Sequence, residues 1–202
     1  MGGCEEIQYY QFALGFILLV GSFLYYKQYI QLQQVSESES KLLDEVYFDP
    51  LTNLPNNKNI DIILTDQLSR CQRHGRSFFV AYIKIDNLNG IFRENTKEYG
   101  NKMIQKAADQ IYACIRNEDI VAHIKRDDFL IIFNEYLEEE KLEYIFKRLY
   151  NSLKNNFEIS VGISKFPDDS KEADTLISHS FEAIKKVNEN DTYQYNMYKQ
   201  EH

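Results

Sequence analysis

Cysteine is scarce in this 202-residue chain. Cys4, Cys71 and Cys114 are odd in number and far apart, and none stands at a ligand-like spacing from another or from His74, His123, His179 or His202. The pattern argues against structural zinc and for reduced thiols. Basic charge is also short, with 23 Lys and Arg against 31 Asp and Glu, a net charge of −8. That balance repels a polyanion, so an extended nucleic-acid footprint is not expected, while a single basic pocket for a small anion stays open. Neither a glycine-rich phosphate loop nor an internal repeat is found. Nothing in these residues calls for a cofactor.

What is present begins with an apolar run from Tyr9 to Tyr26, with tyrosines at both ends where their amphipathic rings favour a membrane interface. Its length predicts one transmembrane helix over residues 7–28. Glu5 and Glu6 stand where a signal peptide would carry basic residues, and no small-residue cleavage site follows. Acids before the run and Lys27 after it place the large C-terminal part in the cytoplasm by the positive-inside rule, giving a single-pass protein of the inner or plasma membrane. Residues 29–47 are polar, with Leu32, Val35, Leu42 and Val46 at offsets of three and four types. They predict a helical linker, either solvated or paired with a second copy in a coiled coil.

From residue 48 to 198 the pattern is that of one globular domain. Helical periodicity marks 56–74, 101–115, 138–153 and 173–187; buried strands are expected over 78–88 and 159–163. Between them Ile120–Phe133 consists of two apolar runs joined by a charged turn, a β-hairpin with Asp127 and Asp128 near its tip. Paired carboxylates at a strand end suit metal-dependent phosphoryl chemistry, but Lys125 and Arg126 beside them argue against it. The element order predicts an α+β sandwich, with helices over one mixed sheet.

Several motifs in order resemble the GGDEF domains of the diguanylate cyclase family. Asp49-Pro50-Leu51-Thr52-Asn53-Leu54-Pro55-Asn56 is similar to the family's D-x-L-T-G-L-x-N opening. Lys84-Ile85-Asp86 resembles its D-x-D strand, Lys125-Arg126-Asp127-Asp128-Phe129 falls at the signature, and Ile159-Ser160-Val161-Gly162-Ile163 resembles a later strand. The resemblance implies a nucleotide-cyclase-like palm domain, with a central mixed, mainly antiparallel sheet flanked by helices. In active members, it implies, the first Asp of D-x-D and the first acid of the signature hold two Mg²⁺ ions against GTP. Here those positions are Lys84 and Asp127.

A protonated lysine cannot ligate a metal, and one unit charge against another at about 4 Å is worth roughly 4 kcal/mol at an effective dielectric near 20. Lys84 is expected to pair with Asp127, or else to face solvent. Under the same resemblance the guanine-reading Asn and Asp correspond to Phe92 and Asn101, and a phosphate-contacting Lys to Asn89. A C-terminal Lys and Arg correspond to Asn188 and Thr192, and the two signature glycines to Lys125 and Arg126. Bulky residues where glycine permits positive φ cost about 1 kcal/mol each or force another turn. These departures predict a degenerate domain with no catalytic residues and no metal.

Arg116-Asn117-Glu118-Asp119 keeps the R-x-x-D pattern at the offset of the family's inhibitory site, which binds cyclic di-GMP. Arg offers a planar fork to phosphate or to a guanine edge, and a carboxylate accepts from guanine N1 and N2. Without a ligand, Arg116 would simply end a helix and Asp119 begin a strand loop. The resemblance therefore implies a membrane-anchored, inactive receptor binding cyclic di-GMP through Arg116 and Asp119, working with a dimer mate or another protein. A protein-interaction module without nucleotide binding, and a residual or hetero-dimeric diguanylate cyclase, are the alternatives.

Overall fold

The computed structural model describes residues 19, 21–33, 46–185 and 195–198. Two compact units divide at residue 46. In the first, residues 21–33 are helical, with Phe23, Leu24, Tyr25 and Tyr26 exposed. Among the described residues no helix is long and apolar enough to cross a membrane. Most of the expected span (7–18 and 20) and of the linker (34–45) lies outside the described residues.

The second unit opens on a tight turn. Asp49 Oδ1 accepts from the backbone N–H groups of Leu51 (3.2 Å) and Thr52 (2.8 Å) and from the Thr52 hydroxyl (2.8 Å). Asn53 takes φ of 56°, a left-handed conformation that Asn tolerates better than most residues. Asn56 then caps helix α1 (Asn57–His74), its side chain accepting from the N–H groups of Lys58 and Asn59.

The remaining order is β1 (Phe78–Ile85), α2 (Leu88–Glu94), α3 (Lys97–Tyr112), β2 (Ile120–Lys125), β3 (Asp128–Ile132), α4 (Glu140–Leu153), β4 (Ile159–Phe166), α5 (Ala173–Ile184) and β5 (Tyr195–Met197). The sheet runs β2-β3-β1-β4-β5. All neighbours are antiparallel except β4 and β5. This is the mixed, mainly antiparallel α+β palm expected from the motifs.

Alternation along the strands sorts side chains onto two faces. Phe79, Ala81 and Ile83 of β1 pack with α3 and α4, whereas Phe78, Val80 and Tyr82 pack with α1 and α5. The middle strand therefore has both faces covered and reads as a nearly unbroken apolar run. Each fully buried Ile, Leu or Phe contributes about 1.5–3 kcal/mol, so the two clusters hold β1 firmly and present its polar end, Lys84, beside the hairpin.

Candidate functional site

Strand β1 pairs with β3 in a register that sets Lys84 opposite Asp128, and with β4 so that Lys84 also faces Ser160. The expected Lys84–Asp127 pair is a correction: neither side chain makes an ion pair among the described residues. Asp127 sits in the turn, where its carbonyl accepts from the Ile85 N–H at 2.8 Å. Asp128 begins β3, is buried, and accepts a 2.7 Å hydrogen bond from the Tyr82 hydroxyl. Burial raises the Asp128 carboxyl above its ordinary range, against the Tyr82 hydrogen bond that lowers it, and burial with that same bond raises the Tyr82 hydroxyl. The second carboxylate oxygen, Oδ1, is buried without a hydrogen-bond partner.

The tip has found another turn geometry. Asn53 is the only non-glycine with positive φ among the described residues, so Lys125 and Arg126 are not in the left-handed region. A register shift between His123 and Lys125 marks a bulge that carries the chain into the Arg126–Asp127 turn. The donors at this tip do not suit the two Mg²⁺ ions that the resemblance implies for active members: of the two implied positions one is an ammonium, Lys84, which leaves Asp127 as the single carboxylate. Among the described residues no cluster of three His, Cys, Asp or Glu side chains is disposed to hold a metal.

Beside the tip lies a cleft of about 770 Å³ lined by the start of α1, the start of α3, Phe92 and the end of β2. Phe92 and Asn101, which the resemblance sets at guanine-reading positions, both line it. The Arg126 guanidinium lies 5.1 Å from the centre of the Phe92 ring and donates to the Asn89 side chain. At the floor His123 is stacked on Phe129, ring centres 4.7 Å apart, and its Nδ1 lies 2.9 Å from Asp49 Oδ1. Hydrogen bonds from His123 and Thr52 hold the Asp49 carboxyl below its ordinary range despite the opposing effect of burial, the largest single influence. Sequence reasoning did not assign His123 a role; its only signal was a titratable residue amid the apolar run of β2.

Arg116 and Asp119 lie on the loop between α3 and β2. The Asp119 carboxylate is buried and accepts from two backbone N–H groups, Arg116 and Asn134, each at 3.0 Å. The Arg116 guanidinium is 43% exposed and has Glu118 as its neighbour at 3.6 Å. Asp119 also borders a second hollow of about 440 Å³ with Tyr112, Asp109 and Pro55, which Arg116 does not line. The two side chains are thus anchored on one loop but turned to different partners. Asn188 and Thr192 fall outside the described residues.

A palm-like sheet with a charged hairpin forming one edge defines the class, and comparison with known proteins gives the family. The model of the family described as "Diguanylate cyclase, GGDEF domain" matches residues 46–194. The chain belongs to this family. Among curated proteins it is similar to the cyclic di-GMP phosphodiesterase NbdA of Pseudomonas aeruginosa, at 20% identity over 158 residues, covering 74% of this chain and 20% of that protein. It is 27% identical over 112 residues to the diguanylate cyclase DgcP of Escherichia coli, covering 52% of this chain and 32% of that one. The chain thus spans a third or less of these relatives. Among solved structures, the coiled coil and GGDEF domain of DgcB from Caulobacter crescentus in complex with c-di-GMP superposes with a TM-score of 0.75 at 15% identity, covering 85% of this chain and 95% of that chain.

Proposed function

We propose that this GGDEF-domain protein acts in cyclic di-GMP signalling as a catalytically inactive receptor rather than as a cyclase. The observation that carries the inactive half is Lys84, an ammonium at one of the two implied metal positions, held at the end of β1 beside the hairpin tip in register with Asp128. A dication brought to that tip would meet an ammonium where a carboxylate is needed. The receptor half is supported by the exposed Arg116 guanidinium on a loop tied down by Asp119, and by the c-di-GMP complex of the similar DgcB structure. Arg116 is the ligand-touching residue; Asp119 holds the loop through the two backbone donors and offers its remaining lone pairs. The backbone donor on each of the two Asp119 oxygens favours the second reading, a protein-interaction module without nucleotide.

The anchor is part of the proposal. The exposed Phe23, Leu24, Tyr25 and Tyr26 suit a bilayer, and Lys27 beyond them suits a cytoplasmic C-terminal domain. The similar DgcB structure includes a coiled coil, which supports the linker as a pairing helix for a homodimer or another protein partner.

Two measurements on the full chain test the reading. Incubation with GTP and Mg²⁺ or Mn²⁺ is expected to give no cyclic di-GMP, and Lys84→Asp alone is not expected to restore it. Product above a no-protein blank that Asp127→Ala abolishes overturns the inactive reading. Calorimetry is expected to detect cyclic di-GMP, with Arg116→Ala weakening it about ten- to a hundredfold and Arg116→Lys also weakening it, because an ammonium lacks the bidentate fork. Absence of binding to the unmodified chain would select the interaction module.

A further inference from the structure

One edge of the sheet is only partly covered. Strand β2 is an outer strand, paired with β3 alone. His123 turns its N–H outward and donates it to the Pro55 carbonyl at 2.9 Å. Backbone groups alternate in direction along a strand, so Val121, two residues earlier, turns its own N–H and carbonyl to the same side. Among the described residues no backbone group outside the sheet takes them. The entry turn thus closes the edge at His123 and leaves it open at Val121, which lines the hollow of about 440 Å³ beside Asp119.

The walls of that hollow select its occupant. Asp109 and Asp119 line it, and no cation does. Asp119 is buried and held by two backbone donors, whereas Asp109 on α3 is exposed and forms no ion pair among the described residues. Tyr112, also a lining residue, is 57% exposed. Three positions apart on a helix, Asp109 and Tyr112 share one face, and both attract a cation, one by its charge and the other by its ring quadrupole. Leu54 and Pro55 of the entry turn supply an apolar wall opposite in character. An unpaired strand edge is a template for another main chain, and the net charge of −8 steers basic partners toward it rather than acidic ones.

We propose that the open edge of β2 docks a short, extended, basic segment of a partner protein, which pairs its backbone with Val121 and sets an arginine or lysine side chain against Asp109 and Tyr112. Main-chain pairing supplies the affinity, and the carboxylate with its neighbouring ring supplies the choice of a basic residue. The bond from His123 to Pro55 fixes where the added strand must stop, so the contact is a few residues long. Docking here is independent of nucleotide binding, since Arg116 does not line the hollow.

The test is fluorescence anisotropy of the full chain in detergent micelles with a dye-labelled peptide, acetyl-Val-Arg-Val-Arg-Val-amide. Two control peptides carry Glu in place of both Arg, or a methyl group on the central backbone nitrogen. The Arg peptide is expected to bind, the Glu peptide to bind at least tenfold more weakly, and the N-methyl peptide about fivefold more weakly, because it loses a main-chain donor. Asp109→Asn is expected to weaken the Arg peptide about two- to fivefold, the range of an exposed charge pair. Glu143→Gln removes an equal charge from an exposed position on α4, outside the lining, and should leave binding unchanged. Hydrogen exchange over residues 120–123 should slow in the complex, and circular dichroism checks that each variant keeps its fold. Absence of Arg-peptide binding, equal binding of the Arg and Glu peptides, or binding untouched by both N-methylation and Asp109→Asn would each overturn the proposal.

Discussion

Asp128 is the residue whose chemistry departs most from that of a surface acid. It is held by one hydrogen bond from Tyr82, lies under the sheet face covered by α1 and α5, and leaves one oxygen unsatisfied. Its folded-state affinity for a proton is raised by burial. The folded protein therefore binds that proton more tightly than the unfolded chain, so the associated stability is full below the unfolded value of about 4 and is lost as pH rises through the raised folded value. Asp128→Asn removes the titration while keeping an oxygen for Tyr82. Its denaturation midpoint relative to the unmodified protein is expected to climb as pH is taken from 4 to 7. Parallel curves across that range would show that the fold does not hold the proton. The adjacent acids and the lysine at position 84 were visible in the chain order; the Tyr82 contact, across 46 residues, and the His123–Asp49 contact were not. Both depend on strand register, which local patterning leaves open when several apolar runs compete.

Elements with several periods of pattern appear where periodicity predicts them, and short ones do not. Helices α1, α4 and α5 match their expected ranges to within three residues at each end, because an apolar stripe repeated over three or four turns is hard to mistake. The expected strand over 78–88 stops at Ile85 instead, and Leu88 to Glu94 forms a seven-residue helix, whose two turns leave too little pattern to read. Helix α3 begins at Lys97, earlier than expected, because Thr96 caps it by accepting from the Tyr99 N–H at 3.3 Å. The contact between β4 and α5 gives a sharp prediction. A Cβ on Gly162 would lie 1.9 Å from the Ser180 carbonyl oxygen and 2.8 Å from the Ile184 nitrogen, both helix backbone. Gly162→Ala must push α5 off the sheet and is expected to cost about 3 kcal/mol by chemical denaturation. Gly90→Ala in α2 meets nothing within 4 Å and should stabilise by about 0.5–1 kcal/mol, as replacing a helical glycine does. Equal effects at the two sites would mean that α5 does not bear directly on β4.

At the scale of the whole molecule, the anchor proposed above would give the domain access to a cytoplasmic nucleotide. A reporter fused after His202 is expected to be active in the cytoplasm, following Lys27 and the acids before the apolar run; activity only outside would reverse the topology and remove that access. The residue order alone determined the α+β class and the family, because motif identity and hydrophobic period are local properties. Tertiary structure alone decided that Lys84 faces Asp128 rather than Asp127, that Asp119 is taken up by backbone while Arg116 stays exposed, and that β5 joins β4 in parallel. It also decided that four cations scattered between positions 58 and 126 share one cleft in an acidic protein. The physical reason is the same in each case: sheet pairing and helix docking bring together residues tens of positions apart, and their charges and hydrogen bonds interact through space rather than along the chain.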